Sequence, residues 1–256
     1  MSRDYVSINQ DIWDADAPGW VAVGERLWRA EAPEWGNWGH PDTPLALLPA
    51  SLAGKDAIEL GCGTAYVSGW MARRGARVTA IDVSSAQLAT ARRLAAEHQA
   101  DITFLQVNAE ETGLADGAFD FAISEYGAAI WCAPDKWLGE AWRLLRPGGE
   151  LVFLGNHPLS LICSPLDGSP CDVTLHRPYR DMWGADWTKV EIEPSGVCFN
   201  LTISDWMALF AKIGFVVARY QEVYAPEWAT GTRAAIPAEW AKQYPVEQVW
   251  HLKKPG

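Results

Sequence analysis

A short apolar run, Ala57-Ile58-Glu59-Leu60, breaks at Gly61-Cys62-Gly63-Thr64-Ala65. The chain then passes at once into a segment with Val67, Trp70 and Met71 at helical spacing. A strand that turns through glycines into a helix commits the chain to a βα unit. Glycine lets the backbone bend tightly and approach a ligand with no Cβ in the way. The rhythm continues downstream. Gly75 ends a helix predicted over 66–74, residues 78–81 read as a second strand closing at Asp82, and Ser84 or Ser85 caps a helix over 86–98. Residues 102–107 and 119–124 read as the third and fourth strands. A helix over 137–145 is stopped by Arg146-Pro147-Gly148-Gly149, and residues 150–154 supply a fifth strand. Alternation of this kind specifies an α/β fold, a parallel sheet with helices on both faces and right-handed crossovers.

At 256 residues the chain fits one large domain spanning 1–256. Residues 1–45 are expected to form an N-terminal lid and 55–155 the ligand-binding core. Residues 156–200, broken by five prolines, are expected to form a substrate-side insertion after the fifth strand. Residues 201–256 supply the C-terminal elements: a helix from Ser204 to about Lys212, a strand over 215–224, a helical stretch near 238–243 and a last strand over 246–253.

Ligands of an open parallel sheet bind at the strands' carboxyl ends, where the Gly61–Gly63 loop lies. GxG alone is a weak signal. A dinucleotide fingerprint would need glycine where Tyr66 stands, and GxxxxGK[ST] is absent, so a nucleoside without phosphates suits the loop better. Asp82 follows about twenty residues on, at a strand end where a carboxylate can accept from both ribose hydroxyls. It reports a ribose without choosing among cofactors.

Composition excludes several classes. A net charge of -11 opposes attraction to nucleic acid, and Arg73, Arg74 and Arg77 read as a solvated helix end. Five cysteines with no CxxC, and five scattered histidines, predict neither disulfides nor a metal site. No apolar stretch has the length of a signal peptide or membrane span, so no membrane partner and a cytoplasmic location are expected. Fifteen tryptophans are many for this length, and five crowd the first forty residues, as a packed lid or a pocket lining.

The run AIELGCGTAYVSGWMARRGARVTAIDVS closely resembles the first two motifs of the class I S-adenosylmethionine-dependent methyltransferases. The resemblance extends through VNAEETGLADGAFDFAISEYGAAIW, LRPGGELVF and the terminal VWHLKKP, and is strongest to the small-molecule, type 11 or ubiquinone-biosynthesis-like branch. It implies a Rossmann-like three-layer sandwich, with a seven-stranded, mostly parallel sheet whose last strand is antiparallel. It also implies S-adenosylmethionine as cofactor and S-adenosylhomocysteine as product. Carried onto this sequence, it places Glu59, Gly61, Cys62 and Gly63 at the methionine side, Asp82 on the ribose and Val83 beside the adenine. Asn108, Ala109 and Glu110 would form the adenine-edge turn, and Ser124 and Glu125 would lie beside the cofactor. Ala65 stands where a glycine is frequent, and Asn108 where aspartate is usual; the Asn108 amide oxygen still accepts a hydrogen bond, without charge assistance.

The acceptor implied is a small molecule, apolar or aromatic, methylated on O, N or C by a monomer or homodimer. His157, after the fifth strand, is the candidate general base, and Glu125 and Tyr126 the candidates for orienting an acceptor; Arg177 and Arg180 read as surface residues. Trp13, Trp28, Trp38, Trp183 and Trp187 are expected to roof the pocket. Two alternatives stay open: a nicotinamide-dependent oxidoreductase, against which Tyr66 and the lack of YxxxK argue, and a non-catalytic S-adenosylmethionine-binding protein.

Overall fold

The computed structural model describes residues 5–256, so the first four residues of the lid expected at 1–45 lie outside it. The chain begins with a long helix, α1 (Tyr5–Arg29), followed by a two-stranded hairpin, Glu34–Trp35 with His40–Pro41. Seven strands then build one sheet: β1 (Asp56–Leu60), β2 (Arg77–Asp82), β3 (Ile102–Gln106), β4 (Phe119–Glu125), β5 (Leu145–Asn156), β6 (Val216–Val223) and β7 (Glu247–Lys253). Their spatial order is β6-β7-β5-β4-β1-β2-β3. The pairs β3–β2, β2–β1, β1–β4 and β4–β5 are parallel, and β7 runs antiparallel between β5 and β6. The seven-stranded sheet with an antiparallel last strand is therefore present. Chain direction across the sheet reverses between β1 and β4, which opens a crevice at their carboxyl ends.

Besides α1, the helices of five residues or more are α2 (Tyr66–Arg73), α3 (Ser85–Glu97), α4 (Gly127–Trp131), α5 (Pro134–Leu144), α6 (Pro158–Ile162) and α7 (Ile203–Ile213), with single turns at Asp42–Leu45 and Ala238–Ala241. Alternate strand residues feed two cores, as a period of two requires. Ile58, Leu60, Ala122 and Phe153 pack with Trp137, Trp206 and Phe210, whereas Ala57, Phe121, Ile123 and Val152 pack with Val67, Trp70 and Met71. Arg146-Pro147-Gly148-Gly149 stops α5 as expected but is already part of β5, held by reciprocal backbone bonds between Gly148, Gly149 and Lys254.

The N-terminal segment is a packed layer. Trp28 is fully buried, its indole N–H donates to the Thr64 carbonyl at 2.8 Å, and its ring fills the space beside Gly69 where any Cβ would clash. Arg73, exposed at the end of α2 as expected, and the half-buried Arg74 also fasten this layer. Arg73 donates to the carbonyls of Trp28 and Ala30; Arg74 donates to those of Leu48 and Pro49 and pairs with Asp42 at 2.6 Å. Their forked donors satisfy carbonyls that an irregular segment would otherwise leave unpaired. Arg77 reaches Asp56 at the surface. The insertion folds as α6 plus an antiparallel hairpin, Gly184–Asp186 with Val197–Phe199, around a third apolar cluster that includes Cys163, Cys171, Trp187 and Cys198. All five cysteines are free. Among the described residues no helix is long and apolar enough to cross a membrane.

Candidate active site

A cavity of about 250 Å³ opens at the β1–β4 crevice. One half is built by the turn after β1. Gly61 and Gly63 take positive φ (77° and 51°), and Ala65, at the start of α2, is left-handed at φ 60° and wholly buried. A left-handed alanine explains why glycine suits this position: the Cβ costs roughly 1 kcal/mol there. Gly61 has no room for a side chain: a Cβ on it would stand 2.7 Å from the Ala128 nitrogen and 2.8 Å from the Gly127 Cα. The turn after β1 and the start of α4 thus touch backbone to backbone.

Asp82 borders this half. One carboxylate oxygen accepts from the Gly63 N–H at 2.8 Å and the other from the Ser84 N–H at 2.9 Å, which aims the group into the cavity with acceptor capacity to spare. Burial raises its pKa, while those N–H groups oppose the rise. Cys62, Val83, Asn108 and Ala109 also border the cavity, and Asn108 accepts from the Glu110 N–H at 3.0 Å. The Gln87 side-chain oxygen is buried, without a partner among the described residues, on the same wall near Gly63. An orphaned acceptor beside a ribose-type carboxylate and a glycine turn fits a nucleoside with several donors.

The floor is acidic. Glu59 accepts from the Ser68 N–H at 2.8 Å and from its hydroxyl. Glu125 accepts from the Tyr66 hydroxyl and, at 3.1 Å, from the Gly36 N–H. Glu247, at the start of β7, accepts from the Tyr126 hydroxyl and, at 2.9 Å, from the Asn37 N–H; its other oxygen is buried with no partner among the described residues. Burial pushes Glu59 up to about 8 and Glu247 to about 7, and raises Glu125 as well. Tyr126 itself sits at φ 56°, ψ -82°, a strained backbone for a side-chain-bearing residue, at the junction of β4 and α4.

These carboxyls make the ligand-free protein pH-sensitive. Their folded pKa values exceed the ordinary carboxyl value, so the folded state holds protons that the unfolded chain has lost, and stability falls as pH rises toward 8. His40, His157 and His251 are depressed by burial and act in the opposite sense, but only up to their ordinary value near 6.5. From pH 6.5 to 8 the carboxyl effect leads, with the burial-raised thiols of Cys62, Cys132 and Cys198 adding to it in the same sense at higher pH. Unfolding calorimetry should show about 2 kcal/mol lost by pH 8. Glu59→Gln should remove most of that loss; an unchanged Tm across this window would refute the assignment.

The other half of the cavity is roofed by α1, α4 and the insertion, with Asn9, Trp13 and Trp20 from α1, Trp131 from α4, and Leu161 and Trp187 from the insertion. Asn9 clamps the roof: its amide donates to the carbonyls of Trp131 and Val197 and accepts from the Val197 N–H. Asp14 on α1 accepts from the Ser84 hydroxyl at 2.6 Å and the Ala86 N–H at 3.0 Å, so it joins the roof to the first turn of α3.

The structure brings together Glu59, Gly61, Cys62, Gly63, Asp82, Val83, Asn108, Ala109, Glu125 and Tyr126 around this cavity. Three candidates stand outside its lining. Ser124 donates to the Leu60 carbonyl and caps the Ala129 N–H, tying β4 to β1. Glu110 is spent on Tyr5, the Ala133 N–H and Lys136. His157 caps α6 through its Nδ1, which accepts from the Leu159 N–H at 3.1 Å, while Nε2 lies 3.5 Å from Glu222; burial drives it down to about 4. Of the five tryptophans expected in the roof, Trp13 and Trp187 border the cavity. Trp28 and Trp38 belong to buried cores and Trp183 is 39% exposed. Arg177, expected at the surface, has its guanidinium carbon over the Trp187 ring at 4.5 Å and donates to the Leu161 carbonyl. Trp20, one of the five crowded N-terminal tryptophans, borders the cavity as well; Tyr66, Gln87, Asn37 and Trp131 do so without having been singled out for it by sequence, and Glu247 supports it from behind.

Residues 58–153 match the family model described as a methyltransferase domain. That stretch, which runs from β1 into β5, is similar to a methyltransferase domain. A malonyl-[acyl-carrier protein] O-methyltransferase of Pectobacterium atrosepticum is 39% identical over 110 residues, 43% of this chain and 41% of that protein. A ubiquinone biosynthesis O-methyltransferase of Pseudomonas entomophila is 33% identical over 111 residues, 40% of this chain and 45% of that one. The chain thus spans less than half the length of the curated relatives it matches. An S-adenosylmethionine-dependent methyltransferase from Mesorhizobium loti superposes with a TM-score of 0.65 at 23% identity, covering 82% of this chain and 94% of that one, which shows the fold. The matched residues include the Gly61 turn and Asp82; α1 and the whole insertion lie outside them.

Proposed function

We propose that this chain is a cytoplasmic S-adenosylmethionine-dependent methyltransferase acting on an O, N or C atom of a small, apolar or aromatic molecule. The observation that carries this reading is the junction of two unlike half-cavities, a glycine-and-carboxylate cradle beneath an indole-lined roof. S-adenosylmethionine supplies a methyl group activated by a positively charged sulfur. Asp82 holds the ribose hydroxyls, Gln87 accepts a further donor, and Asn108 with Ala109 borders the adenine. Glu59 and the Gly61–Gly63 turn take the methionine end; burial keeps Glu59 protonated in the empty site, and a cationic ligand favours its ionised form.

The remaining residues align and desolvate. Trp13, Trp131 and Trp187 exclude water from the acceptor half, and Glu125 and Tyr126 orient the acceptor. Glu125 is the carboxylate placed to receive an acceptor proton. His157, facing Glu222 outside the cavity, has no part in it. A nucleic acid is a poor partner for a chain of net charge -11, and we assign a monomer or homodimer.

Calorimetric titration with S-adenosylmethionine, S-adenosylhomocysteine, NAD and NADP tests the reading. Micromolar binding of the two sulfur nucleosides and of neither nicotinamide is expected. Binding of a nicotinamide, or of none of the four, would overturn it.

A further inference from the structure

We propose that the acceptor is an amine, recruited as its ammonium ion by a cage of Trp13, Trp20 and Trp131 in a cavity whose lining also carries the Glu193 carboxylate. This deepens, and rests on, the methyltransferase reading. Trp13 meets Trp131 at 5.3 Å with ring planes 76° apart and Trp20 at 5.7 Å with planes 51° apart, and all three border the cavity. Three indoles on different planes around one space present π-faces and edges as walls, the geometry in which a desolvated cation is held well.

These rings carry no internal cation. Among the described residues, cation–aromatic pairs involve Phe104, Tyr5, Trp187 and Trp142, never the three cage rings. Trp131 is fixed from behind, against Gly196, where a Cβ would lie 2.8 Å from its ring, and through its carbonyl, which accepts from Asn9.

Charge points the same way. Glu193 borders the cavity, and Asp16 is close enough that burial and the charge of Glu193 both raise its pKa. The ionisable acids of the lining are Glu59, Asp82, Glu125 and Glu193, and among the described residues no Lys, Arg or His joins them. An acceptor bearing a carboxylate or phosphate would be desolvated against these groups with nothing to pair it. An ammonium gains from the rings and the carboxylates together, while Leu161, Ile192 and Ile236 suit an apolar body.

Chemically, the ammonium sheds a proton to the Glu125 carboxylate. The freed nitrogen lone pair then forms the new N–C bond as the C–S bond breaks, leaving its electron pair on sulfur. The products are an N-methylammonium ion and S-adenosylhomocysteine.

The test needs no turnover. The intact protein is titrated with choline and with its neutral isostere 3,3-dimethylbutan-1-ol, read by tryptophan fluorescence and calorimetry. Choline should bind at least tenfold more tightly, and Trp13→Leu should abolish the preference. Trp20 is 37% exposed, so Trp20→Leu leaves the core intact and should also reduce the preference several-fold. Equal binding of the two probes, no binding of either, or a preference that survives in Trp20→Leu and in any folded Trp13→Leu would overturn the cage. Choline preference in a protein that fails to bind S-adenosylmethionine would support the cage and remove the methyltransferase reading instead.

Discussion

Gly61→Ala should eliminate measurable S-adenosylmethionine binding, a loss of more than about a hundredfold, and lower stability by about 2–4 kcal/mol. Both effects have one source. Gly61 is at φ 77°, and its missing Cβ would press on the backbone of Gly127 and Ala128, which has no side-chain freedom with which to yield. The turn after β1 would be driven away from α4, and the cradle would open. Gly63→Ala is the control. Gly63 also has positive φ, but the nearest atom to its would-be Cβ is the Gln87 side-chain oxygen at 3.9 Å, so strain without collision should cost far less. Calorimetric titration and thermal unfolding of both variants check this, and a Gly61→Ala protein with affinity within threefold of the parent would contradict it.

Asp82→Ala should weaken S-adenosylmethionine binding at least tenfold. The substitution removes the charge-assisted acceptors that the proposed function assigns to the ribose, and it frees the Gly63 and Ser84 N–H groups that the carboxylate holds in place. Asp82→Asn keeps acceptor oxygen but not the charge and should fall between the two. A folded Asp82→Ala protein of unchanged affinity would remove the ribose assignment.

The sheet was legible because each of its strands from residue 56 to 154 is a short apolar run bounded by a turn signal, and those runs face helices on both sides. The turn after β1 was legible for the same reason, since glycine in a strand–helix junction has few other uses. Helix α1 was not. Pro18 and Gly19 interrupt it, and its buried side, Asn9, Ala17, Gly24, Leu27 and Trp28, is partly polar or small because it packs against loops and a cavity.

Adjacency to a strand end misled where side-chain direction decides. Ser124 and Glu125 are neighbours on β4, and the pleat sends one into the β1 contact and the other to the cavity. His157 and Glu110 follow strand ends too, yet each is turned to a local capping or pairing duty. Glu247 was overlooked because a single acid in a terminal strand reads as solvent-facing. Its full burial depends on Asn37 and Tyr126, 210 and 121 residues away in sequence.

The bonds from Ser84 and Ala86 to Asp14 give the roof a clasp two residues along the chain from Asp82. One carboxylate on α1 thus ties the indole-bearing layer to the first turn of α3, so a change that loosens either end is felt by both halves of the cavity.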